Sequence, residues 1–517
     1  MLRTSGPDTG SGAQPFPGED EDGQMPLDPR TPVVVGVAQV TDRVADPTVA
    51  RTALELMVDA CRSAAVDAGH AGAVADVDVV GVVGGLWSHP DPGRRVADAL
   101  GADSATTLLT GLSGTSPQRL LDHLAVRIAA GEVEAALMVG GEAFRSRRRA
   151  RRLGVTARRD VDTSLSPAEH FGGPLVMATP HEESRGLVEP SGFYPVVETA
   201  IRHARGETVE AHRRRVGALW SRFNAVAINN PHAAVRTPMD ADAITVPSDG
   251  NRMVAAPYTK AMMANNSVDQ AGAILVMSAG RAAALGVPRD RWVFPWVGTA
   301  ADDPSSPSVR MHLHRSPGVQ ASGRRAVEAS GIDLDGFDHL DLYACFPSSV
   351  QVCGTELGLD VNAETRPLTA NGGLTFAGAP HSNSVGQSLA ALVGRLRDAP
   401  GTALLYANGG YLGKHAFGVY ATQPPTGSYR SVDCATDVAD EPTRTPDPDY
   451  TGPAVVDGYT VRHDRDGRPA NALVASLSPD GARVWGGTED RATLDALLAD
   501  DLVGRACELD PAGLLAI

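Results

Sequence analysis

From Thr31 onward the chain alternates two kinds of apolar pattern. TPVVVGVAQV is a continuous apolar run of strand length, and in TALELMVDACRSAAVDAG the apolar residues recur three and four apart, as on one face of a helix. Val77 to Val83 predicts a second strand. GLSGTSPQ, Gly111 to Gln118, is a loop of small residues that opens into a helix predicted over Ser116 to about Ala130, with AALMVGG as the next strand. Leu120, Leu121, Leu124 and Ile128 line one face of that helix, the arrangement of a core-facing segment. Strand–helix alternation of this kind predicts an α/β fold with buried sheets.

The second half of the chain repeats the pattern. WVFPWVGTA reads as a strand, RRAVEASG as a helix end and DHLDLYACF as a strand. GGLTFAGAPHSNSV is again a small-residue loop, followed by the helix GQSLAALVGRL and the strand ALLYANGG. Gln118 and Gln387 stand 269 positions apart, as do Gly140 and Gly409, and Leu389, Leu392, Val393 and Leu396 reproduce the apolar face. Tandem duplication accounts for these matches. The expected organisation is a disordered tail over 1–30, a first half over 31–144, and an insertion with the end of that half over 145–291. A second half over 292–427, a linker over 428–452 and a small β-rich, barrel-like domain over 453–517 follow. DRDGRP and SPDGAR supply hairpin turns in the last of these, and RATLDALLADDLV a short amphipathic helix.

Composition narrows the function classes. Of 517 residues 42% are hydrophobic and 21% charged, and the net charge is −16, which argues against general attraction to nucleic acid or anionic lipid. Cys61, Cys345, Cys353, Cys434 and Cys507 are scattered without metal-type spacing, an odd and sparse set that fits a reducing, cytoplasmic setting. No segment reads as a membrane span, and no metal site is expected.

Two tandem halves, each with a glycine- and serine-containing loop before its central helix, resemble the thiolase superfamily. AAGEVEAALMVGGEA, NNSVDQAGAILVMSAG, DHLDLYACF and GGLTFAGAPHSNSVGQSLA carry the likeness over about residues 31–427. With a further C-terminal domain, the chain is most similar to the type 1 thiolase-like proteins. The resemblance implies a duplicated five-layered αβαβα fold with an inserted loop domain. It also implies two-step acyl transfer from a coenzyme A thioester by a cysteine at a helix N-terminus, where the dipole favours the thiolate. On that likeness, however, the nucleophile's place is Gly114. The Gly-His-Pro segment reads Gly378-Ala379-Pro380, placing Ala379 at the histidine. The Cys-x-Gly base segment reads Ala407-Asn408-Gly409, and the Asn-Glu-Ala-Phe segment reads Tyr343-Ala344-Cys345-Phe346. Ordinary thiolase chemistry is therefore not expected.

Three readings follow from this likeness. The first is a CoA or acyl-CoA binding protein of lipid metabolism, acyltransferase-derived. Its pocket would be lined by Gly114, Ser116, Phe346, Gly378 and Asn408, with Arg147 and Arg148, from the basic run RSRRRARRLGVTARR, on the phosphates. The second is a CoA-ester lyase of the retro-aldolase kind. Tyr343 would act as acid or base with a depressed pKa, together with His381 or His415. The third is a scaffold whose C-terminal domain binds protein or RNA. Its acid-rich composition and few aromatics argue against a nucleic-acid groove. Thiolases dimerise; the sequence does not decide whether the extra domain leaves this chain a monomer.

Overall fold

We describe a computed structural model covering residues 27–159, 166, 168–363 and 365–516; the expected tail lies outside these residues up to position 26. The first half runs β1 (Pro32–Thr41), α1 (Ala53–Asp67), β2 (Val79–Val82), α2 (Pro92–Leu100), β3 (Thr106–Thr110), α3 (Ser116–Ala130) and β4 (Ala135–Ala143). Local chemistry sets several of these boundaries. Thr52 and Glu55 form a reciprocal capping box that starts α1, and Gly131 in the left-handed region ends α3.

The insertion comprises α4 (Phe144–Leu153), β5 (Glu169–Phe171), α5 (Pro180–Ser184), α6 (Pro190–Ala204), α7 (Val209–Asn229) and α8 (Ala241–Thr245). The small hairpin β6 (Met253–Ala255) and β7 (Tyr258–Thr259) follows. The chain then returns as β8 (Asp269–Ser278) and α9 (Ala279–Ala284). β8 lies between β1 and β4, antiparallel to both, so the first sheet has the order β1-β8-β4-β2-β3-β5.

The second half runs β9 (Phe294–Asp302), α10 (Pro317–Ser330), β10 (His339–Asp341), α11 (Pro347–Leu357), α12 (Gly373–Phe376) and α13 (Ser384–Asp398). It closes with β11 (Thr402–Gly409), β12 (Lys414–Ala421) and β13 (Arg430–Asp433). Its sheet has the order β10-β11-β12-β9-β13. Leucines of α3 and α13 share one buried core with residues of both sheets, so these helices form the middle layer. α1 and α2 cover the outer face of the first sheet, and α10 covers the second. The result is a duplicated five-layer αβαβα core.

Two expectations change. DHLDLYACF is strand only over His339–Asp341, because the chain then leaves the sheet: the Leu342 amide bonds the Leu368 carbonyl and Tyr343 starts the approach to α11. Within the stretch read as a linker, Arg430–Asp433 adds to the second sheet beside β9. The C-terminal part forms β14 (Gly452–His463), β15 (Pro469–Leu477), β16 (Arg483–Thr488), α14 (Arg491–Ala499), β17 (Ala506–Leu509) and β18 (Leu515–Ala516). Its sheet curls until Gly487 of β16 bridges Leu514 beside β18, around a core that includes Leu494 and Leu497 of α14. It also takes in β6 through the pairing of Ala255 with Arg462.

Candidate functional site

The loop between β3 and α3 is held by its own hydroxyls. Ser113 Oγ lies 2.8 Å from Thr115 Oγ1, and Ser116 Oγ donates to the Gly111 carbonyl at 2.8 Å. Neither serine has a base beside it. Ser116 is therefore a structural residue of the loop, at the head of a helix whose dipole favours negative charge.

Gly114 is where the site is decided. A Cβ there would stand 2.1 Å from the Asn408 carbonyl oxygen and 2.5 Å from Tyr343 Oη. The space that a nucleophile's side chain would need is already occupied by a strand carbonyl and a phenol. Asn408 is the last residue but one of β11; its Nδ2 donates to Tyr194 Oη at 2.9 Å and to Ser349 Oγ at 3.3 Å, while its buried Oδ1 has no partner among the described residues. Tyr343 is partly accessible, and its hydroxyl makes no hydrogen bond with any described residue. Burial, reinforced by Cys345, pushes that hydroxyl above the ordinary tyrosine range, so it stays protonated. This is the opposite direction to the depressed pKa expected for Tyr343: the hydroxyl stays a protonated hydrogen-bond donor and is not set up to abstract a proton. Cys345 is likewise pushed up to about 12 by burial and is no nucleophile.

Tyr194, from α6 of the insertion, is the residue that sequence reasoning missed. Its hydroxyl donates to the Gly410 carbonyl (3.1 Å) and accepts from the Leu412 amide (3.2 Å) as well as from Asn408. Its ring stacks on Phe346 at 4.5 Å between centroids, and Phe346 stacks in turn on Tyr258 at 5.7 Å. Phe346 is thus packed between two tyrosines rather than lining an open pocket. The one available signal was a pair of aromatics in an apolar helical stretch, SGFYPVVETAIRHA, which is the ordinary mark of a core helix.

Other expected residues lie elsewhere. Gly378, at φ 110°, faces Gln270 of β8, whose Oε1 would be 2.5 Å from a Cβ. Ala379 bonds through its amide to the Asn265 carbonyl, and Ala407 faces the packed core between the sheets. His381 is partly buried, with its pKa lowered by burial, and bonds Ser382 Oγ; no hydrogen bond or ring contact joins it to Tyr343. His415 is fully buried on β12. Its Nε2 faces Ser316 Oγ (3.1 Å) and Asp303 Oδ2 (3.2 Å), and its Nδ1 faces Tyr406 Oη (3.1 Å). Ser316 also caps α10, and all three groups are closed to solvent. Despite its serine–histidine–aspartate composition, this cluster is a clamp between β12 and α10, so His415 is not a catalytic partner of Tyr343.

The basic run forms α4. Arg147 bonds the Leu86 carbonyl (2.8 Å) and the buried Glu142 carboxylate (2.9 Å), so it compensates an internal charge and is not free for phosphate. Arg148, Arg151 and Arg152 are exposed. The loop at Gly84 to Trp87 links this helix to the site: a Cβ on Gly84 would touch the Thr110 carbonyl, and Leu86 accepts from Arg147. Among the described residues no group of histidine, cysteine and acidic side chains has a metal-binding arrangement.

Comparisons with known proteins agree with this architecture. A profile of the thiolase-like protein type 1 additional C-terminal domain matches residues 433–513. The crystal structure of a monomeric SCP2-thiolase like protein type 1 from Mycobacterium smegmatis superposes with a TM-score of 0.80 at 28% identity, over 95% of this chain and 100% of that one. In its additional C-terminal domain and in its fold, the chain is similar to the type 1 thiolase-like proteins of the thiolase superfamily. The same core recurs, at the level of fold, in two more distant structures. An Ltp2-ChsH2(DUF35) aldolase matches with TM-score 0.58 at 16% identity, over 76% of this chain and 99% of that one. The dimeric peroxisomal thiolase of Saccharomyces cerevisiae matches with TM-score 0.55 at 12% identity, over 77% and 99%. A search of curated proteins gave no match. Against this family background, the thiolase-like core here lacks the space for a nucleophile at the head of α3.

Proposed function

We propose that this thiolase-like protein binds a coenzyme A thioester of lipid metabolism without forming an acyl–enzyme. The observation that carries this reading is the occupied space at Gly114: the helix head that would orient a thioester is kept, while the attacking side chain is replaced by Tyr343 and the Asn408 carbonyl. Backbone amides at the start of α3 polarise the thioester carbonyl, and the exposed Arg148, Arg151 and Arg152 take the phosphates. Calorimetric titration with CoA and acyl-CoAs tests it. Saturable micromolar binding, about −8 kcal/mol, with no acyl adduct by mass spectrometry, is expected. An adduct, or no binding to any of them, overturns it.

A second reading is favoured by the unpartnered Tyr343 hydroxyl. As a protonated phenol beside the thioester position, it acts as the acid in a retro-aldol lyase, donating to the oxygen that gains charge. Tyr343→Phe then abolishes turnover and leaves affinity nearly unchanged; unaltered turnover removes the role. β5 pairs with β3 and forms the outer edge of the first sheet, and the similar Mycobacterium smegmatis protein is monomeric, which supports a monomer. No helix among the described residues is long and apolar enough to cross a membrane. Five free, buried cysteines suit the cytoplasm. Arg462 and Arg483 of the C-terminal domain turn inward onto the core, which argues against nucleic acid as its partner.

A further inference from the structure

The C-terminal domain touches the site's surroundings by two separate routes that end on one loop. That loop, Gly409 to Gly413, carries β11 into β12 and lies against the head of α3: a Cβ on Gly409 would be 2.2 Å from Ser113 Oγ. Leu412 within it holds a left-handed backbone, φ 52°, which is costly for a branched side chain and persists only where the surroundings impose it.

The first route runs through two buried arginines. Arg483 of β16 bonds Asp457 of its own domain at 2.8 Å and reaches out to the carbonyls of Pro307 and Arg310. Arg310 in turn donates from Nη1 to the Tyr411 carbonyl (2.5 Å) and the Leu412 carbonyl (3.1 Å). The second route runs through α6. The Tyr459 backbone of β14 exchanges two hydrogen bonds with Thr199 Oγ1, each 3.0 Å, and Arg202 bonds Tyr459 Oη at 2.7 Å. Five residues before Thr199 on the same helix, Tyr194 donates to the Gly410 carbonyl and accepts from the Leu412 amide, groups that Arg310 does not bind. Four backbone groups of the loop, the carbonyls of Gly410, Tyr411 and Leu412 and the Leu412 amide, are thus bound by two side chains from segments that the C-terminal domain contacts.

We propose that the C-terminal domain is a brace acting in cis, and that Arg483 and Arg310 are positioning residues fixing the 409–413 loop against Ser113 and Gly114. The domain's work is then internal to the site rather than that of an independent binding module.

Hydrogen–deuterium exchange on the full-length protein, without ligand, tests this separately from the thioester reading. In Arg483→Met, amides of 409–413 exchange at least 10-fold faster while those of β4 and of β14–β15 keep their protection. Arg483→Lys, which retains a donor for the two carbonyls, restores most of the protection. Thr199→Val loosens the same loop through α6, which covers the case in which Arg483→Met does not fold. Unchanged exchange at 409–413, or acceleration spread evenly over the whole chain without rescue by lysine, overturns the brace.

Discussion

Gly114→Ala is the sharpest probe of the site. The added carbon would sit 2.1 Å from the Asn408 carbonyl oxygen and 2.5 Å from Tyr343 Oη, with Tyr343 Cζ at 2.9 Å. An ordinary carbon–oxygen approach is about 3.3 Å, so β11 and the α3 loop must separate by roughly 1 Å. Overpacking a tight interior typically costs 1–3 kcal/mol, and because the main obstacle is backbone, a loss of about 3 kcal/mol is expected. Tyr343→Phe removes only the phenolic oxygen, so in the Gly114→Ala background it recovers less than about 1 kcal/mol, leaving the carbonyl contact intact. Denaturant unfolding of the four proteins of this cycle, monitored by circular dichroism, measures both quantities. Gly114→Ala within about 0.5 kcal/mol of the parent would show that the loop has room. The exclusion of a nucleophile would then be refuted. For the same steric reason Gly114→Cys gains no acyl transfer activity.

Other consequences follow from buried charge. Asp341, bonded by the Ala370 amide at 2.7 Å, is pushed up to about 6 by burial. A raised carboxyl favours folding while protonated and loses that contribution as pH rises from about 4 to about 6, roughly 3 kcal/mol over the window, and Asp341→Asn flattens this slope in stability against pH. His415→Ala leaves the Asp303 carboxylate buried; burial alone would raise its pKa, but bonds from His415 and Ser316 and the nearby Arg310 hold it low. The variant should lose about 3–5 kcal/mol of stability by thermal or denaturant unfolding, without a specific change in ligand affinity. Arg147→Ala strands Glu142 and costs a similar amount. Arg148→Ala is within about 0.5 kcal/mol of the parent in stability but lowers CoA affinity and its salt dependence, as read by titration at two ionic strengths.

Much of the fold was written locally. The period of Leu120, Leu121, Leu124 and Ile128, closed by Gly131, determines α3 whatever surrounds it, and the same spacing near Leu389 determines α13. The repeat at 269 positions made the duplication legible, and the chain shows glycine, not cysteine, at position 114, the place that the thiolase likeness gives the nucleophile. Tertiary structure decided what stands in its place. That Tyr343 and the Asn408 carbonyl fill the space, that Tyr194 closes the site from the insertion, and that His415 is a clamp all depend on residues dozens to hundreds of positions apart. No local pattern encodes such contacts, because they arise where sheets and helices pack. The basic run shows the same division: its helical period is in the sequence, but whether an arginine serves a ligand or an interior carboxylate depends on Glu142, held opposite Arg147 by the end of a buried strand.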